Sequence, residues 1–412
     1  MNIFRAGNVL VRVFFVISLC ILSAGQSATA DDDGLFGDWA GIKTKLEDKG
    51  ITLRLEYTGE YINIKDGAIK DGSTYLGNVD FTVELNTEKA GLWKNGKFFA
   101  YVLHNHGGNP SGSYIGDIQT SSNIEAPQAT RLYEAWYEHS FFDDRVGLLL
   151  GQHDLNSEFD VTEYGGLFLN SSFGIQPDIS GNVGVSIFPA VGPAARVRWQ
   201  ATDRFLLLGA VYDGDPGNEF DNPKGIKWDI NSKDGRMNIV EGQMQFGDQE
   251  KGLPGTYKLG GWLHTADFDD VVQTDGAGNA IVHGDNSGVY FIADQMLYRE
   301  EGNQGLGAFL QLGLAPDDRN EISNYVGLGI NYLGLIPGRD DDTFGIGFAR
   351  AGISDKLQPG RDDAETTWEL TYQAQITPWL YLQPDLQLIQ NTGADPANRD
   401  ATVGIVRFGT IF

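Results

Sequence analysis

The chain has 412 residues, a formal net charge of −26 and a mean hydropathy of −0.25. That hydropathy excludes a bundle of transmembrane helices, and the acid excess excludes a nucleic-acid binder, because a phosphate backbone would repel it. The only cysteine, Cys20, lies near the N-terminus in a segment that reads as a removable leader, so disulfide and thiolate chemistry are excluded from the remainder.

Residues 1–30 have the parts of a signal peptide. Arg5 and Arg12 form a basic start, residues 13–22 an apolar run too short to span a membrane, and Ala28-Thr29-Ala30 a small-residue cleavage site. Export is therefore expected. The leader takes two cations and no acids, so the remainder is more acidic still. Residues 31–50 read as an N-terminal segment with a short surface helix. Asp38 can cap it, Trp39, Ile42 and Leu46 fall at helical spacing, and Gly50 can end it.

From Ile51 onward the pattern has period two. Ile51, Leu53, Leu55 and Tyr57 alternate with Thr52, Arg54, Glu56 and Thr58. Further alternating runs occupy 75–87, 96–106, 131–140, 145–154, 193–200, 204–213, 237–247 and 257–265. They continue over 288–297, 305–315, 322–333, 342–354, 365–376, 379–390 and 401–412, which makes sixteen predicted strands. The clearest pair is 368–390. There Trp368, Leu370, Tyr372, Ala374 and Ile376 share one face, against Glu369, Thr371, Gln373 and Gln375; beyond Pro378, Leu380, Leu382, Leu386 and Leu388 oppose Gln383, Asp385 and Gln387. Pro384 has no N–H to give a ladder and predicts a bulge or a local break, and a bulge there would shift the facing of Asp385.

Connections alternate between short (141–144, 201–203, 377–378) and long (105–130, 155–192, 214–236, 266–287). An even number of strands with that alternation predicts an all-β fold, a transmembrane antiparallel barrel over 51–412 with long extracellular loops. Apolar faces then meet lipid and polar faces meet the lumen. The final strand ends on Phe412, a residue type that outer-membrane assembly machinery reads.

Several blocks resemble one family. GDWAGIKTKLEDKGITLRLEYTGE (37–60), LHNHGG (103–108), RLYEAWYEHSFFDDRVGLLLGQHDLNSEF (131–159), LFLNSSFG (167–174), PAARVRW (193–199) and ITPWLYLQPDLQLIQNTG (376–393) occur in the order found in carbohydrate-selective porins of the OprB family. The resemblance implies a sixteen-stranded outer-membrane barrel narrowed by inward-folded loops. It implies passive diffusion of glucose-type sugars, no chemical step and no cofactor. The partners it implies are permeating sugars, outer-membrane lipid and lipopolysaccharide, and the assembly machinery. A homo-oligomer is compatible with it, but no interface is legible.

A sugar pore needs hydrogen-bonding side chains that replace hydration water, with apolar surface for ring C–H edges. Parity and the matched blocks nominate Arg131, Glu134, Trp136, Glu138, Arg196, Arg198, Glu241, Trp262 and Asp385 on the wall. Asp160 is nominated in the 155–192 loop, the leading candidate for the constriction. An arginine fork can hold two vicinal hydroxyls, and that favours the arginines.

Two other classes remain open. A barrel of this kind could pass other small polar solutes or cations. A secreted β-rich hydrolase would need a carboxylate pair such as Glu134/Glu138, Asp269/Asp270 or Asp362/Asp363. His104-Asn105-His106 invites a metal reading, but no third ligand is evident and no metal is expected.

Overall fold

The computed structural model describes residues 34–217, 220, 222–247, 252–300 and 304–412. The expected leader lies outside them. Alternation becomes strand throughout. The first wall strands are β1 (Ile51–Lys65), β2 (Gly72–Asn86), β3 (Gly96–Gly107), β4 (Ala129–Phe141), β5 (Val146–Gln152) and β6 (Pro193–Gln200). Next come β7 (Phe205–Asp213), β8 (Arg236–Phe246) and β9 (Gly255–His264). A separate hairpin, β10 (Phe268–Thr274) with β11 (Ala280–His283), follows. The wall resumes with β12 (Asn286–Arg299), β13 (Gly305–Leu314), β14 (Ile322–Leu333) and β15 (Thr343–Ile353), then β16 (Ala364–Thr377), β17 (Leu380–Gln390) and β18 (Ala401–Ile411).

All but the hairpin form one closed antiparallel barrel of 16 strands. Strand β1 closes on β18 from Glu56↔Ile411 to Lys65↔Thr402. Closure satisfies ladder groups that an open sheet would expose to lipid. One end has the short turns, such as 142–145 and 378–379; the other carries the loops 108–128, 153–192, 214–235 and 265–285.

The two faces follow parity. Leu382, Leu386 and Leu388 are 41–46 % exposed on the outside, whereas Gln383, Asp385 and Gln387 point inward and are at most 7 % exposed. Pro384 makes no bulge. Its register holds against β18 (Pro384↔Val406), and on the β16 side the ladder passes from Thr371↔Asp385 to Ala374↔Leu382 without a shift. The missing N–H is tolerated as a local gap in pairing, so Asp385 keeps its inward facing.

A bulge does occur where none was expected. Tyr101 pairs with Glu134 but Val102 with Leu132, so Tyr133 is the extra residue of β4. Bulging flips the parity beyond it. That places both Arg131 and Glu134 inside the barrel despite their odd spacing, and Tyr133, expected outside, is buried.

Three further expectations change. The N-terminal helix, α1, is only Ile42–Glu47, because Trp39, Ala40 and Gly41 adopt positive φ. Asp38 still caps it, accepting from Thr44 N at 2.8 Å. The 266–287 stretch, expected as plain loop, contains the β10–β11 hairpin. Its turn is organised by Asp275, whose carboxylate accepts from Ala277 N and Asn279 N. The barrel interior is also not uniformly polar. Leu155, Phe159, Ile175 and Ile179 from the 153–192 loop pack on Leu208, Ile239, Tyr290 and Ile292 of the wall. Phe168 and Phe173 pack on Phe309 and Tyr325.

If the outer face meets lipid, Leu386→Arg should cost about 2–4 kcal/mol at mid-bilayer. The neutralising inner-face variant Glu84→Gln should be tolerated. The check is the fraction of heat-modifiable, membrane-inserted protein; equal insertion of both variants would contradict the facing.

Candidate functional site: a loop-constricted passage

The 108–128 and 153–192 loops of the long-loop end fold into the barrel, and acidic wall side chains hold them there. Glu369 of β16 accepts from Leu169 N (2.6 Å) and Asn170 N (3.1 Å). Asp294 of β12 accepts from Thr162 Oγ1 (2.7 Å) and Tyr164 N (3.0 Å). Glu241 of β8 accepts from Asp160 N (3.0 Å) and from Tyr290 OH (2.7 Å). Glu365 accepts from Ile118 N, Gln119 N and Gly393 N. Glu60, paired with Arg407, accepts from Ser122 Oγ at 2.7 Å, and Arg407 also bonds Asn123. Each carboxylate is buried, so these bonds occupy groups that desolvation would otherwise penalise.

Amides and one amine complete the attachment. Gln383 Nε2 donates to Leu167 O at 2.8 Å, Gln387 Nε2 to Ser121 O at 2.8 Å, and Asn331 Nδ2 to Tyr164 O at 2.8 Å. Lys258 Nζ reaches Val161 O at 2.6 Å. The 153–192 loop thus lies against β8–β17. Among the described residues, neither loop sends a hydrogen bond to the mid-height inner faces of β2 and β3.

Several sequence candidates therefore turn out to be fastenings. Asp160 is fully buried and staples its own loop, accepting from Gln176 N (2.8 Å) and Gln176 Nε2 (2.6 Å). Trp262 is 3 % exposed inside the apolar cluster under the loop. Asp385 lies beside Gln387, accepting from its Nε2 at 3.3 Å. Arg131 is buried where the loops meet: Nη1 donates to Pro189 O at 2.9 Å and Nη2 to Pro127 O at 3.0 Å. Arg196 ties the wall to the loop base through Glu138 (2.9 Å) and Glu158 (2.5 Å). Glu134 accepts from Trp136 Nε1 at 2.9 Å and Asp154 N at 3.3 Å. Glu138 is thus held by Arg196, and Glu134 by these donors. His104 and His106 face outward, bonded to Thr130 (2.7 Å) and Tyr57 (3.3 Å).

The uncovered wall has a different chemistry. Arg54, Glu84 and Lys97 are 62 %, 43 % and 38 % exposed, and Arg198 is 28 % exposed. Phe99 and Trp136 stack with centroids 4.9 Å apart and planes at 25°, and Lys97 Nζ lies 5.1 Å from the Trp136 ring. Tyr101 donates to Asp80 alongside. Lys97, Phe99, Tyr101 and Glu158 were not nominated by sequence. In KFFAYV aromatic residues fall on both parities, so the inner face of β3 is not legible from alternation alone.

Three surface depressions of about 640, 610 and 470 Å³ lie on the outer wall among side chains such as Val240, Leu263, Val289 and Leu150. They are grooves on the lipid side, not the passage.

Residues 70–412 match the family model for carbohydrate-selective porins of the OprB family. The chain belongs to that family. It is 28 % identical to Porin B of Pseudomonas aeruginosa, over 94 % of this chain and 93 % of that protein. It is 22 % identical to a putative porin, QuiX, of Acinetobacter baylyi, covering 90 % of this chain and 92 % of the other. Among solved structures it superposes on Pseudomonas putida OprB at high pH with a TM-score of 0.85, at 23 % identity, covering 94 % of this chain and all of that one. The low-pH structure of the same protein gives 0.63. Porin family and barrel together make this chain a channel of the outer membrane, with short turns toward the periplasm and long loops outside.

Two outcomes follow. Glu369→Ala strips two loop amides of their acceptor, a loss of about 1–3 kcal/mol for each buried group. Single-channel conductance should rise and become noisier; an unchanged trace would contradict the fastening role. The second concerns pH. Burial pushes Glu125 up to about 7, against the bonds it accepts from Ser111, and pushes Asp117 up to about 6. A docked carboxyl with a raised pKa keeps a proton that the undocked loop releases. Docking of 108–128 is therefore firmest at low pH and weakens as pH rises through the interval from about 4 to 7. Amide exchange, corrected for its intrinsic pH dependence, should show more protection at pH of about 5 than at about 8. Equal protection would contradict the sign.

Proposed function

We propose that the passage for sugars runs between the inward-folded 153–192 loop and the inner faces of β1–β4. The observation that carries this is the partly exposed Phe99–Trp136 stack, flanked by Lys97, Glu84, Glu138 and Arg198. A pyranose presents a flat C–H face and a rim of hydroxyls. The stack suits the face and the flanking charges suit the rim. All these contacts are partly hydrated, so a solute can enter and leave.

Charge balance favours this over a cation channel. The uncovered wall sets Arg54, Lys97 and Arg198 against Glu56, Glu84 and Glu138. The acid excess of the whole chain is therefore not focused at the passage. Of the residues first nominated, Trp136, Glu138 and Arg198 have contact roles in this reading. Arg131, Glu134, Arg196, Asp160, Glu241, Trp262 and Asp385 have holding roles.

The same reading takes the chain as exported with residues 1–30 removed. Phe412 would serve the assembly machinery before packing 5.4 Å from the Phe36 ring. Passage is diffusion and leaves the solute unchanged.

Phe99→Leu keeps the bulk and removes the flat face. In liposome swelling, glucose entry relative to a linear polyol of similar size should fall roughly two- to tenfold, the worth of an aromatic contact of ~0.5–1.5 kcal/mol. An unchanged ratio would remove the stack from the sugar path.

A further inference from the structure

The barrel wall has a seam at its extracellular end. Strand β5 pairs with β4 only from Ala135 to Phe141, so residues 129–134 of β4 have no strand on that side. In a membrane wall such an edge must be satisfied. Gln152 covers two of its carbonyls, Nε2 donating to Leu132 O at 2.8 Å and Tyr133 O at 2.9 Å.

The other cover comes from the 214–235 loop, which leaves β7 and crosses the outside of the barrel. Leu132 N donates to Lys224 O at 2.9 Å, and Trp228 Nε1 donates to Gln152 Oε1 at 2.8 Å. The segment is ordered by its own bonds: Asn222 Oδ1 accepts from Ile226 N and Lys227 N, both at 3.2 Å, and its Nδ2 donates to Lys227 O at 3.0 Å. Gly225, at φ +62°, lies against Leu132 O so closely that a Cβ would be 2.3 Å away. No other residue lets the strap approach this near.

What the strap shows outward is apolar at every second position. Ile226, Trp228 and Ile230 are 64 %, 55 % and 67 % exposed. Trp228 borders a groove of about 470 Å³ on the outer wall with Val83, Phe98, Tyr137 and Leu150, so the apolar row is continuous with the lipid-facing surface. The segment is also cationic within an acidic chain. Residues 222–236 contain Lys224, Lys227, Lys233 and Arg236 against Asp229 and Asp234.

We propose that residues 222–230 are a lipid-docking strap. Ile226, Trp228 and Ile230 enter the acyl layer of the outer leaflet, while Lys224 and Lys227 meet the phosphates of its anionic lipids. An apolar row beside basic side chains with long stems is the pattern that interfacial segments use to sit at this depth. The partner is therefore a phosphate-bearing amphiphile, held at the rim of the seam and apart from the sugar path.

The experiment uses the full barrel in vesicles doped with brominated lipid, either phosphatidylcholine or phosphatidylglycerol. The signal is tryptophan emission of the parent minus that of Trp228→Phe. Heat-modifiable migration confirms that each variant is folded. The Trp228 component should be quenched by brominated acyl chains and little by acrylamide. It should prefer the anionic lipid, and Lys224→Gln and Lys227→Gln should each reduce that preference roughly fivefold, the effect of about 1 kcal/mol per charge. Sugar flux should be unaffected in all these variants, so failure here is separable from failure of the sugar reading. Quenching by acrylamide alone would mean that Trp228 stands in water and overturn the proposal. Insensitivity to both quenchers would mean that a second copy covers the strap, and would overturn it equally. Equal quenching by the two lipids would overturn the phosphate contact.

Discussion

Everything inside this barrel depends on one type of interaction: a wall carboxylate accepting the backbone N–H groups of a loop. Glu369, Glu365, Asp294 and Glu241 each do this from inside the wall, at different heights. A loop drawn into a barrel loses water from its amides, and a buried N–H without a partner is costly. A buried carboxylate is costly too unless it is bonded. Placing one against the other removes both penalties and fixes the loop in position. Apolar packing of Phe159, Ile179, Phe168 and Phe173 then adds non-directional stabilisation.

This arrangement explains how a strongly acidic chain can enclose a passage that is not strongly acidic. Much of the inward-facing acid is used in holding loops. The acids left accessible, Glu56, Glu84 and Glu138, stand near Arg54, Lys97 and Arg198. The 153–192 loop lies against β8–β17, while the 108–128 loop is held from β1, β16 and β18. On the proposed path the opening is eccentric and lined by the inner faces of β1–β4. The rings at the opening are positioned by register alone, since Phe99 and Trp136 are directly paired across β3 and β4.

Alternation makes the barrel legible in the amino-acid sequence. Runs such as 368–376 and 380–388 specify inside and outside at each residue, and the length of the connections specifies which end is which. The site is much less legible, for three physical reasons. Parity is lost at a bulge, and nothing in RLYEAW announces that Tyr133 is the extra residue. Parity also gives direction but not cover: Glu241 and Arg198 both face inward, yet only one lies under a loop. Finally, an aromatic on the inner face, such as Phe99 or Trp262, reads the same whether it meets solute or core. Pro384 shows the converse. A local rule predicted a bulge or a break; the break is present as a gap in the β16–β17 ladder, and intact pairing with β18 holds the register so that no bulge forms.

The central claim is that the aqueous path follows β2 and β3 and not the opposite wall. Its most direct test is reaction of single cysteines with a small charged thiol reagent during single-channel recording. Glu84→Cys and Lys97→Cys should react readily and reduce conductance; Gln311→Cys and Thr367→Cys, both fully buried in the parent, should not react. Prompt reaction at 311 or 367 with protection at 84 and 97 would place the path on the other side of the barrel and contradict the account.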